Sequence, residues 1–174
     1  MLAIKKRLQQ AFPTNDRFQL LKAFESLFNT QALSSGGLTF TTTTWQTAAA
    51  VPYLINNVTF TKAVFTTQAV PTSIAWTGAA STFNAGAFLI GLDSAGTVTT
   101  YPSAVTASTV SAAATLGLLV YPQVPDNVCV IGTIIIQATT ANTTFTPAVT
   151  ALNAAGITTT FINTVGPFFP INPI

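Results

Sequence analysis

The chain has 174 residues but only ten charged side chains, and seven of those fall in the first 25 (Lys5, Lys6, Arg7, Asp16, Arg17, Lys22, Glu25). Ordinary soluble domains keep about a quarter to a third of their surface charged; residues 26–174 carry only Lys62, Asp93 and Asp126. With no histidine and a single cysteine, imidazole catalysis and an intrachain disulfide are both excluded, while 13 phenylalanines and a hydrophobic fraction of 49% exclude disorder.

The elements follow in chain order. Met1, Ile4, Leu8 and Phe12 recur at helical spacing, and Pro13 ends that segment. Thr14 or Asn15 can cap a second helix, with Asp16 near its positive end. Leu20, Leu21, Phe24, Leu27, Phe28 and Gln31 continue its stripe. Ser34-Ser35-Gly36-Gly37 then marks a domain boundary. Beyond it the period changes to two; threonine, with 32 copies in the whole chain, favours strands. Strands are predicted from Leu38 to Trp45, Val58 to Phe65, Ser73 to Thr77, Ala87 to Leu92, Thr97 to Tyr101, Gly117 to Tyr121, Val128 to Gln137 and Ile157 to Ile162. Residues 103–115 read as a loop or weak edge strand.

Many short strands with turn residues between them point to a mainly β fold, a β-sandwich or jelly roll preceded by a short N-terminal helical segment. Three parts result: 1–35, an amphipathic helical anchor; 36–166, the sandwich domain; 167–174, a proline-rich tail. Leu8, Phe12, Leu20, Leu21, Phe24, Leu27 and Phe28, with Phe168 and Phe169 of the tail, are the candidate assembly contacts. Leu92–Tyr101 and Leu152–Phe161 share one form: Leu, Asp or Asn, two small residues, Gly, then a Thr-rich strand. That form predicts two similar hairpins with Gly96 and Gly156 as turn glycines.

Side-chain chemistry is sparse. Asp93 and Asp126 stand in separate predicted turns, and Cys129 is flanked by apolar residues. There is no metal-ligand cluster and no phosphate-binding loop, so neither enzyme nor cofactor is expected. A body with one cation offers no footprint for nucleic acid. No apolar run reaches the roughly 18 residues of a membrane helix, no apolar core follows Lys5-Lys6-Arg7 as in a secretory signal, and the Thr-rich stretches lack the continuous apolar band of a membrane barrel. Trp45, Trp76, Tyr53, Tyr101 and Tyr121 read as core and interface packing, with a sugar-stacking platform as the other use.

The second half resembles small structural proteins of tailed bacteriophages. The likeness lies in Phe88–Val98 and Pro125–Ile136, and continues through Thr144–Pro147 and Thr150–Phe161. Where that family usually has Gly after the Phe-Thr-x stretch, this chain has Ala148. The resemblance implies a virion β-sandwich that decorates and stabilises the phage head (a cement protein). It would bind its own copies, as a trimer by analogy, and major capsid or other virion proteins. A tail- or fibre-associated adhesin for host glycans and a small jelly-roll capsid protein are the alternatives. No catalytic residue is carried over.

Overall fold

The computed structural model of the chain describes residues 28–167, which are mainly β with every pairing antiparallel. The helical stripe through Leu27 and the tail from Phe168 lie outside these residues. Phe28 and Asn29 are helical, but Gln31, placed on the helical stripe by its spacing, is in a strand. The chain therefore enters the β body before the Ser34–Gly37 break, not after it.

Eleven strands make three sheets. β1 (Gln31–Ala32), β4 (Val51–Ile55) and β5 (Val58–Lys62) form one, in the order β1-β4-β5. β2 (Leu38–Thr41), β3 (Thr44–Thr47) and β6 (Gln68–Ala69) form a second, in the order β2-β3-β6. The largest joins β7 (Phe83–Leu92), β8 (Val98–Pro102), β9 (Thr106–Ser108), β10 (Cys129–Ala138) and β11 (Ile157–Asn163). Its order is β11-β10-β7-β8, and β9 pairs with the other half of β7. One short helix, α1 (Ala112–Leu116), lies among the described residues between β9 and β10.

Local chemistry explains the turns. Asn56 and Asn57 both have positive φ (51° and 65°), the conformation of a tight hairpin between Ile55 and Val58, which asparagine tolerates. The predicted strand from Leu38 to Trp45 folds back at Thr42-Thr43, with Thr42 at φ 48°. An unbroken run of threonines carries no turn punctuation, so this reversal is silent in the sequence. Pro52 sits in the middle strand of its sheet, yet its missing N–H costs no ladder bond to β5. Its carbonyl accepts from Leu33 N at 2.9 Å, while the reciprocal bond cannot form, and β1 ends there.

β7 and β10 form the centre of the core. Their ten-residue strands pair from Cys129↔Leu92 to Gln137↔Ala85, with a bulge between Val130 and Gly132. Up to and within the bulge the odd-numbered Cys129 and Ile131 face the main core. After it the even-numbered Ile134, Ile136 and Ala138 do. One extra residue inverts the alternation, which is why a continuous apolar run serves here where strict alternation would not. All three sheets contribute to one cluster, including Trp45, Val51, Tyr53, Phe88, Ile90 and Ile134.

Two predicted strands are corrected. Ser73 to Thr77 overlaps a 3-10 turn at Thr72–Ile74, and only Trp76 makes a bridge, to Phe145. Residues 117–121 form no strand. Both edges of β7 are already occupied, by β10 on one side and by β8 and β9 on the other. The segment instead turns at the end of α1 and lays Leu119 over Ala85 and Ala87. Ser103 makes the changeover from β8 to β9: its N–H donates to Ala87 O (2.7 Å) and its Oγ accepts from Ala87 N (3.0 Å).

Candidate assembly surface

Of the candidate contacts, Phe28 is exposed; Leu8, Phe12, Leu20, Leu21, Phe24, Leu27, Phe168 and Phe169 lie outside the described residues. Gly96 and Gly156 both have left-handed φ, 75° and 81°, but the two related segments are not equivalent. The first is a true hairpin: Asp93 O accepts from Gly96 N (3.0 Å), and β8 returns along β7. The second is the end of a long connection from β10. Leu152 is in no strand; its N–H donates to Thr42 O, and its carbonyl accepts from Thr159 Oγ1. The shared residues encode a glycine turn, not a shared pairing.

Asp93 is used within its own hairpin. Its Oδ1 accepts from Thr97 N (2.8 Å) and Ala95 N (2.9 Å), and these bonds, chiefly that from Thr97, hold the carboxyl below the ordinary carboxylate range. Tyr53 Oη donates to the Asp93 carbonyl, and the Lys62 stem lies beside Gly96. Asp126 lies in the predicted turn, where Val128 N donates to Pro125 O. Cys129 is fully buried and its thiol is pushed up to about 12 by that burial. Among the described residues no three His, Cys, Asp or Glu side chains gather as metal ligands, and no helix is long and apolar enough to cross a membrane.

The tryptophans belong to the interior. Trp45 packs edge-on to Phe65 at 5.6 Å and donates Nε1–H to Ala69 O. Trp76 packs on Phe145 and donates to Thr143 O. Tyr53 is buried as well. Tyr101 and Tyr121 are half-buried; Tyr101 lies across Gly91, where any β-carbon would strike it. A stacking platform built on Trp45 and Trp76 is not present on this surface.

The surface is instead hydroxyl, amide and apolar. Eleven large apolar side chains are exposed, against three charged residues in the same span. Val110 (82% exposed) and Val149 (76%) stand on loops. Leu33 and Val165 flank a bridge in which Gly166 N donates to Ala32 O at 2.7 Å, so the two ends of the described body meet.

The sheet edges differ in protection. β1 and β6 have two residues, β9 three and β2 four. β5 ends in Lys62, and β8 ends in Pro102. Short length, lysine and proline are the usual devices against edge pairing. β11 has seven residues, Ile-Thr-Thr-Thr-Phe-Ile-Asn, and none of these devices. Its inner neighbour is β10. Thr139 N→Gly156 O and Thr164 N→Ile131 O extend that ladder at both ends, so the even-numbered residues bond inward. The amide groups of Thr159 and Phe161 point outward, with no hydrogen-bond partner among the described residues.

The described residues form an all-antiparallel, mainly β body that carries only three charged side chains. Compared with protein-family models, curated proteins and solved structures, the chain matches none.

Proposed function

We propose that this chain is a non-enzymatic structural subunit that works by binding other protein subunits, and more specifically a decoration or cement protein of a phage head. In this reading the body is a β-sandwich or jelly roll, with the largest sheet facing the two smaller ones across a single core. The supporting observation is the surface: eleven exposed large apolar side chains with three charges among them, one of which is spent inside its own turn. Such a surface associates without the desolvation cost of burying ions. At about 25 cal/mol per Å² of apolar area, a few hundred Å² supplies several kcal/mol before association costs. The phage assignment rests on the sequence resemblance in 88–98, 125–136, 144–147 and 150–161. Phe28 and the apolar stripe that precedes it in sequence would be the anchor to the lattice, and copies would associate with one another.

Two measurements test this. Quantitative mass spectrometry of purified particles should find hundreds of copies if the chain covers a head lattice; about a dozen or fewer would move it to a vertex, neck or tail. Sedimentation of the pure protein should show self-association. A monomer that stays soluble at millimolar concentration and binds no virion protein would overturn the reading.

A further inference from the structure

We propose that β11 is a homodimerisation edge, pairing antiparallel with β11 of a second copy about a twofold axis through Thr160. This deepens the reading of the chain as a self-associating subunit and rests on it.

Hydrogen-bond parity and strand overlap together select the register. Among the described residues, Thr159 and Phe161 are the outward-facing residues of β11 whose backbone amide groups make no hydrogen bond, so an added antiparallel strand must bond to them. A twofold axis at Thr160 places Thr159 of one copy opposite Phe161 of the other. Each such pair exchanges two N–H···O bonds, and symmetry provides the second pair. Thr160 is the midpoint of Ile157–Asn163, so this register also overlaps the full strand.

The occupant is a second copy because the strand complements itself. In a twofold contact every side chain meets the symmetry mate of its neighbour, so a charged edge would repel its own image. β11 has no charge, and the exposed side chains of its outer face are Thr158, Thr160 and Ile162. Pairing sets Thr160 against Thr160 and covers Ile162, which is 46% exposed, with the partner's Thr158. Threonine pairs across strands are favourable. The product is one continuous sheet running β8-β7-β10-β11 into the same order reversed. The contact is twofold, so the trimer implied by resemblance would need a different surface.

Site-directed cross-linking tests it in the full chain. Thr160 is exposed and occupies a non-hydrogen-bonded position across the axis, where Cα atoms lie about 4.5 Å apart, within the range a disulfide spans. Cys129 is buried and un-ionised, so a new thiol at 160 is the only reactive one. T160C treated with oxidised glutathione should form a reducible dimer. T158C should not, since residue 158 faces 162 in this register, while T158C mixed with I162C should. Thr160→Lys sets two ammonium groups opposite each other and should weaken the dimer by roughly tenfold or more in sedimentation. If T160C cross-links no faster than T158C, or T160K dimerises like the parent chain, the proposal fails. Should the protein still sediment as an oligomer in that case, self-association stands and the edge is wrong; a monomer at all concentrations removes both.

Discussion

Ala148 takes a left-handed backbone, φ 65°, within a tight loop where Val149 N and Thr150 N both donate to Thr146 O. An L side chain pays about 1–2 kcal/mol for that conformation and glycine pays none. Ala148→Gly should therefore stabilise the fold by about 1 kcal/mol, less the entropy that glycine adds to the unfolded chain; urea denaturation measures it. Asp93 gives a pH-dependent counterpart. Its carboxyl is held below the ordinary value of 3.8 by the Thr97 and Ala95 amides. Its contribution is complete above that value and is lost as pH falls through the lowered pKa. Melting temperature against pH should thus show a smaller acid decline in Asp93→Asn than in the parent chain. Cys129, buried and un-ionised, should ignore a thiol reagent until the protein unfolds.

The bulge in β10 is sensitive to a single atom. A β-carbon at Gly132 would strike Leu38 Cδ1 and come within 2.7 Å of the Ile162 carbonyl oxygen. Overpacking of this kind costs about 1–3 kcal/mol, so Gly132→Ala should lower the denaturation midpoint by that amount, whereas a change at exposed Thr160 to Ser should be near neutral. The strands with apolar runs or plain alternation (β5, β7, β8, β10 and β11) were legible in the sequence because burial itself writes the pattern. β4 was not among the predicted strands; Pro52 lacks a ladder donor, and that missing donor falls on the β1 side, where β1 ends. The β2–β3 reversal was not legible, since threonine occupies both strand and turn. The apparent strand at 117–121 had the right composition and no vacant neighbour to pair with. The glycine turns at 96 and 156 were readable, but whether a hairpin followed depended on the partner strand, which is adjacent for β8 and lies across a long connection, from Ala138↔Ile157 to Gly132↔Asn163, for β11.

At the scale of the molecule, one core joins all three sheets, and β1 is part of it despite its position ahead of the serine-glycine break. Ala32 is 1% exposed, pairs with Tyr53, and accepts from Gly166 N. Removing residues 1–35 should therefore lower the melting temperature of the body, by about 1–3 kcal/mol in stability, relative to removing residues 1–27, which spares β1. Equal melting temperatures would show that β1 contributes nothing. The scarcity of charge was plain in the sequence and pointed to an associating surface. Which edge lacks protection was not, because that depends on strand order, and strand order in an antiparallel fold is set by pairings distant in sequence.

The Ala32–Gly166 bridge has a topological corollary. The start and finish of the body are stitched together like the two sides of a seam, so a short peptide could splice them, and the backbone could be reopened at the Asn56-Asn57 turn. Such a rearranged circle should fold to the same shape. For an engineer wanting to graft cargo onto this protein, the hairpin tip and the seam are then interchangeable points of attachment.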